Sequence, residues 1–237
     1  MDRIINVGDK IVNSYIIPVG EDFLLIDTGG KSGFEKFVER LKLNNIPLEK
    51  IKYVFLTHVH ADHAGFLREL LAKTDATLIY NDKGKARLEA GKNNLNVYVS
   101  SLTNLLASYV SVAFVDKTQC FPSVKTDKYI NFSAQPLAEF GIEFIELNGH
   151  TSSDVGLKFG SDFFSGDVFM NGVGGNKRFP AWCENKFELI KSWEKIANNK
   201  EIETIYPGHG KPFPKSDIIK YLPYWKEHGV MPLFRKK

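Results

Sequence analysis

The segment Thr57-His58-Val59-His60-Ala61-Asp62-His63-Ala64-Gly65 sets three imidazoles and a carboxylate within six residues. The stretch before it, 51–56, is mostly apolar and reads as a strand. Strand residues i and i+2 point the same way, so His58 and His60 leave its end together. The apolar spacing of Ala64, Leu67, Leu70 and Leu71 predicts a helix over 62–73, with Asp62 and His63 on its first turn facing the same space. Three imidazoles and a carboxylate suit zinc, with iron or manganese as the other choices. Each residue alone has an ordinary role open to it, a core histidine or an N-cap aspartate. Four together point to a metal.

Two further histidines stand where predicted strands give way to loops beside a glycine: His150 in Asn148-Gly149-His150-Thr151 and His209 in Pro207-Gly208-His209-Gly210. Asp167, in Ser165-Gly166-Asp167-Val168, likewise follows a predicted strand. Ligands of open α/β sheets collect at such strand ends, although each residue singly would pass for a loop histidine or a turn aspartate. His228 lies past these positions on an exposed-looking helix end.

The elements that must place these groups alternate. Strands are predicted at 11–18 and 23–27 with Gly20-Glu21-Asp22 between them, and a helix at Phe34, Phe37, Val38 and Leu41. Strand 51–56, the helix from 62, strand 76–80 and a short helix at 82–90 follow. A stripe at Leu102, Leu105, Leu106, Tyr109, Val110 and Ala113 reads as ordinary core, with an apolar lid or a dimer face as the alternatives. Past Pro122 come strands at 142–147, 155–159 and 163–164, a helix near 186–197, a strand at 203–206 and a last helix from about Ser216. Both halves run from hairpin strands into strand–helix units, with no linker between them. The expectation is one α/β domain over 1–237.

Composition narrows the function. The chain of 237 residues carries 43% hydrophobic and 25% charged residues, a globular balance. Its net charge of +3 is too small and too scattered for nucleic acid or a membrane surface as partner; only Arg235-Lys236-Lys237 is a basic cluster. Cys120 and Cys183 form no framework and no CxxC pair. No signal-peptide pattern opens the sequence and no apolar run approaches ~18 residues, so a cytoplasmic protein is expected.

Taken in order, Leu25-Ile26-Asp27-Thr28-Gly29, His58-x-His60-x-Asp62-His63, His150, Asp167 and His209 resemble the metallo-β-lactamase superfamily, with all five motifs present. The resemblance implies a four-layer αβ/βα sandwich, two central mixed sheets with helices outside, and a metal site along one edge. It puts His58, His60 and His150 on one divalent ion and Asp62, His63 and His209 on a second, with Asp167 bridging. Zinc is the first choice of metal, manganese or iron the others. Asp27 would stand behind the ligands, accepting a hydrogen bond that orients a metal-binding imidazole. Thr57 and Ser165 would share that work or be plain strand residues. The implied chemistry is attack by a hydroxide shared between the ions, with Asp62 holding the second ion and shuttling a proton.

Within the superfamily, Asp167 speaks against the zinc β-lactamases, which usually lack an aspartate there, and His60 against the flavin–di-iron proteins, which have Glu. Ribonuclease Z-like nucleases add an RNA-binding arm. Gly149-His150-Thr151 resembles the motif around this histidine in glyoxalase II and small thioesterases. Too little chain follows His209 for the glutathione-binding domain of glyoxalase II, and Val168-Phe169-Met170-Asn171 lacks the tyrosine of the lactonases. The expectation is a carboxylic ester or thioester hydrolase acting on a small molecule. A lactonase or phosphodiesterase on the same site, or a persulfide dioxygenase-like oxidoreductase with one iron, is the alternative, and a non-catalytic binding protein the third. In the glycine-rich loop 171–179, Lys177 or Arg178 could meet an anionic substrate group, or the loop could be plain surface. The oligomeric state stays open, a dimer included.

Overall fold

Neighbouring apolar residues on one strand point to opposite faces, so an unbroken apolar strand must be buried on both. In this computed structural model, which describes residues 4–106, 119–172 and 175–232, that rule generates the layers. In chain order the elements are β1 (Ile5–Asn6), β2 (Tyr15–Val19), β3 (Asp22–Ile26), α1 (Phe34–Leu43), β4 (Ile51–Phe55), α2 (Leu67–Lys73), β5 (Thr77–Tyr80), α3 (Lys85–Ala90), β6 (Tyr98–Val99) and β7 (Tyr129–Asn131). The second half holds β8 (Ile142–Glu146), β9 (Val155–Phe159), β10 (Asp162–Gly166), β11 (Trp182–Cys183), α4 (Lys186–Asn198), β12 (Thr204–Pro207), β13 (Phe213–Pro214), α5 (Ser216–Glu227) and β14 (Met231–Pro232).

One sheet has the order β1-β2-β3-β4-β5-β7 and the other β13-β12-β10-β9-β8. Both are mixed: β3, β4, β5 and β7 run parallel beside the antiparallel β2, and β10 pairs parallel with β12 but antiparallel with β9. Leu25, Val54 and Leu78 face outward and pack under Phe34, Phe37 and Leu41 of α1 and Leu67 and Leu70 of α2. Their neighbours Leu24, Phe55 and Ile79 face inward and meet Phe144, Leu157 and Phe164 of the second sheet. On the far side, Ile145 and Phe163 pack under Leu189 and Trp193 of α4 and Trp225 of α5. Three apolar seams thus separate four layers, helix–sheet–sheet–helix, as expected. Each fully buried Leu or Phe contributes about 1.5–3 kcal/mol to holding them together.

Two expectations change. The helix expected from 62 begins only at Leu67. The His63 carbonyl, which a helix would offer to the Leu67 amide, instead accepts from both the Thr28 amide and the Thr28 hydroxyl, each at 2.7 Å. Residues 60–64 keep a single turn, with His63 and Ala64 amides donating to the His60 carbonyl. The stripe expected to be core also differs: Leu102 and Leu106 are 63% and 62% exposed, whereas Tyr109, Val110 and Ala113 lie outside the described residues. Three two-residue strands, β11-β6-β14, form a small sheet that the sequence gives no alternation to find. Among the described residues, no helix is long and apolar enough to cross a membrane.

Candidate metal centre

β4 delivers the 58–63 turn to the edge between the two sheets, and β8, β10 and β12 deliver His150, Asp167 and His209 to the same edge. All seven candidate ligands meet there. His58, His60 and His150 form one group of convergent atoms, Asp62, His63 and His209 another, and His58, His63 and Asp167 a third that links them, each within 4.8 Å. Five of the seven are buried; the His209 side chain is 12% exposed and that of Asp62 43%.

Hydrogen bonds behind the rings fix which nitrogen faces inward. His150 Nδ1 donates to the Trp182 carbonyl at 2.9 Å and His209 Nδ1 to the Ile11 carbonyl at 2.8 Å. His63 Nδ1 donates to Asp27 Oδ2 at 2.9 Å. The Thr57 hydroxyl gives its one hydrogen to Asp27 Oδ2 at 2.7 Å, so it accepts from His58 Nδ1 at 3.0 Å. Asp27 Oδ1 accepts the Thr57 amide at 2.8 Å. Asp27 therefore steadies His63 directly and His58 through Thr57, from a left-handed backbone (φ 57) at the end of β3. In all four rings Nε2 is left to face the centre, whereas His60 turns Nδ1 inward, 3.1 Å from both His58 Nε2 and His150 Nε2.

These atoms fit divalent cations. With the Nδ1 hydrogens of His58 and His150 already placed, three ring nitrogens converge with few hydrogens to share between them. Burial, then the neighbouring imidazoles, pushes His58 well below the ordinary histidine range; burial, His150 and Arg87 do the same to His60. That is a neutral, nitrogen-rich pocket suited to zinc. Beside it, Asp167 turns Oδ1 to His63 Nε2 at 3.5 Å and Oδ2 to His209 Nε2 at 3.2 Å and His150 Nε2 at 3.8 Å. His63 Nε2 and Asp167 Oδ1 are buried without a hydrogen-bond partner among the described residues. Burial opposes charge on His63, but the carboxylates of Asp167, Asp62 and Asp27 outweigh it and hold His63 well above its ordinary range. His209 is likewise raised to about 10 against burial, chiefly by Asp167. Burial resists ionisation of Asp167 and Asp62 as well, yet the His209 and His63 imidazoles hold both carboxyls below their usual range. Two carboxylates that raise imidazoles so strongly demand positive charge, which a metal ion supplies as well as a proton does.

Two glycines let the walls close. A Cβ on Gly208 would stand 2.4 Å from Asp167 Oδ1 and 2.6 Å from His63 Cε1. On Gly166 (φ +51) it would stand 2.3 Å from Thr57 Oγ1.

The structure shows where Lys177 and Arg178 pack. Lys177 lies over the Tyr224 ring, and the Arg178 guanidinium binds Asp217 Oδ2 at 2.6 and 2.9 Å and lies over Phe213. These contacts lie on α5 and β13. Ser165 donates only to its neighbour's carbonyl. Sequence reasoning missed Trp182 and Ile11, whose roles rest on carbonyls and leave no trace in side-chain type. It also missed the Arg87–Glu184 pair: Glu184 accepts from Arg87 Nη2 at 2.5 Å and from the Ser152 amide at 2.9 Å, tying α3 to the loop of His150. Asp154 braces that loop from within, accepting the Thr151 amide and hydroxyl, and burial pushes its carboxyl up to about 6.

A helix–sheet–sheet–helix sandwich with histidines and aspartates gathered at one edge defines a class of metal-dependent hydrolases. The chain belongs to the Metallo-beta-lactamase superfamily, whose profile matches residues 7–209. A probable metallo-hydrolase of Methanocaldococcus jannaschii is 29% identical over 203 residues, 84% of this chain and 87% of that protein. A 68-residue stretch is 43% identical to the anaerobic nitric oxide reductase flavorubredoxin of Aeromonas hydrophila, spanning 13% of that protein. Among solved structures, a subclass B3 metallo-β-lactamase of Bradyrhizobium japonicum superposes with a TM-score of 0.65 at 19% identity, covering 96% of this chain and 89% of its own. A HARLDQ-motif mutant metallo-β-lactamase of Cronobacter sakazakii gives 0.67 at 13% identity, covering 94% of this chain and 89% of its own. At such identities the likeness is one of fold.

Proposed function

We propose that the protein hydrolyses a carboxylic ester or thioester of a small molecule with two divalent ions, zinc first among them. The observation that carries the two-ion reading is Asp167, a buried carboxylate with one oxygen toward His63 and the other toward His209 and His150. His58, His60 and His150 would hold one ion, Asp62, His63 and His209 the other, with Asp167 between. Bound there, the ions supply a water acidified toward neutrality and a positive charge for the substrate's oxygen.

The chain's own residues do the rest. Asp27 and Thr57 hold His58 and His63 in one tautomer, and the Trp182 and Ile11 carbonyls do so for His150 and His209. Burial of these rings keeps bulk water away from the reacting atoms. Asp62 is the most exposed of the seven, so its carboxylate would accept a proton at the mouth and pass it to the leaving group. The ester or thioester preference rests on the Gly149-His150-Thr151 resemblance given above.

A turnover screen of thioesters, lactones and phosphodiesters with added zinc or manganese, beside elemental analysis, tests this. The expected result is two ions per chain and fastest turnover of a thioester or ester. A lactone or phosphodiester turned over fastest would replace the substrate class and keep the centre. One iron per chain with oxygen consumption would overturn hydrolysis altogether.

A further inference from the structure

Residues 11–15 run into β2 and carry none of the seven ligand-type side chains, yet they grip the loop that carries one. Besides the Ile11 carbonyl on His209 Nδ1, the Asn13 amide donates to the Gly208 carbonyl at 2.8 Å. The Asn13 side chain donates through Nδ2 to the Pro207 carbonyl at 2.9 Å and to the Gly210 carbonyl at 2.7 Å. The Tyr15 hydroxyl adds a second donor to Pro207 at 3.0 Å. Asn13 Oδ1 is itself held by Asn6 Nδ2 at 2.8 Å, and the residue is only 8% exposed. The grip thus falls on residues 207, 208 and 210, on either side of His209.

We infer that Asn13 is a positioning residue for His209, setting where its imidazole meets Asp62 and Asp167. The chemistry selects asparagine: a neutral planar amide offers two hydrogens in fixed directions, one for each flanking carbonyl. Aspartate at this place would face two carbonyl oxygens with acceptors only, and serine has one hydrogen to give. Among the described residues, the hydrogen-bond partner behind the His209 ring is the Ile11 carbonyl, two residues from Asn13 on the same strand approach. Loosening Asn13 therefore frees both the loop and the ring. The inference rests on the reading of His209 as a ligand of the second ion.

The test strips the protein with chelator and titrates it with zinc, comparing wild type, Asn13→Ala, Asn13→Asp, Tyr15→Phe and His209→Ala, with thermal unfolding alongside. In the Asn13 variants the weaker-binding ion should lose affinity by about 10–100-fold, the range for residues that orient ligands. The tighter ion should be unchanged, and Tyr15→Phe should lie near wild type in both. The His209 ring N–H should also exchange faster with solvent by NMR in stripped Asn13→Ala. Equal losses at both ions, or a lowered melting temperature with both affinities intact, would reduce Asn13 to a structural residue and overturn the proposal. If Asn13→Ala does not fold, Asn6→Ala removes the donor that holds the amide and is read the same way. His209→Ala separates the two readings: if it keeps both ions, the ligand reading itself fails. If it loses one and the Asn13 variants lose none, only the positioning role fails.

Discussion

The first half of the chain makes its part of the centre from one short turn, while the second half makes its part from three loops far apart in sequence. His58, His60, Asp62 and His63 follow a single strand, and Asp27 and Thr57 at the ends of adjacent strands hold two of them, His58 and His63. His150, Asp167 and His209 end three separate strands. Each of the two histidines is braced by a backbone carbonyl from elsewhere, Trp182 for one and Ile11 for the other. A local cluster needs one carboxylate behind it; scattered ligands need a separate tether each. The first arrangement concentrates vulnerability in a single residue, and the second distributes it.

Asp167 is the group that faces both sets, so its loss should have the largest effect. Asp167→Ala leaves His58, His60 and His150 in place and should retain one ion while losing the other. Turnover should fall by at least about 10²-fold, about 3 kcal/mol of barrier. Metal stoichiometry measured beside the rate checks this; two ions with normal turnover would erase the link between the halves.

Asp27→Asn comes next. It should lower metal affinity or rate by about 10–100-fold with the ligands still in place. Because Asp27 reaches His63 directly and His58 through Thr57, both ions should weaken, whereas loss of the Asn13 tether should weaken one. Equal behaviour of the two variants in a zinc titration would break the contrast between concentrated and distributed support.

The smallest effect is expected at Lys177. Its ammonium lies over the Tyr224 ring on α5, so Lys177→Ala should leave KM for the best substrate unchanged and stability within about 0.5 kcal/mol. A several-fold rise in KM would return this residue to the substrate's path.

The contrast between halves also explains what could be read from sequence. The 58–63 cluster was legible because its geometry is local: a strand end fixes two side chains and a turn fixes two more. Asp27, His150, Asp167 and His209 were legible as strand-end residues in a recognisable order, and the mostly apolar run 51–56 was legible as the strand that leads into the cluster. The start of α2 was not legible, because Thr28, distant in sequence, captures the His63 carbonyl. Leu102 and Leu106 have helical spacing, but spacing does not say whether the face it makes is covered. Lys177 and Arg178 were named for charge and proximity in sequence, and charge alone does not reveal that Arg178 pairs with Asp217. Asn13 and Ile11 act through a main-chain carbonyl or on main-chain carbonyls, which sequence patterns do not mark.

The tether between residues 11–15 and 207–210 also bears on how the protein is made. Its bonds join residues 192 to 198 apart, so in synthesis the holder leaves the ribosome well before what it holds. Closing so long a loop is entropically costly and slow. The strand approach at Asn13 and Tyr15 must therefore wait, its polar groups unsatisfied, while the intervening layers form. A nascent chain halted before residue 207 would already carry His58, His60, Asp62, His63, His150 and Asp167, but with the centre open on one side. Completion of the seam is thus a late step of folding, and it closes the candidate metal centre on its last side.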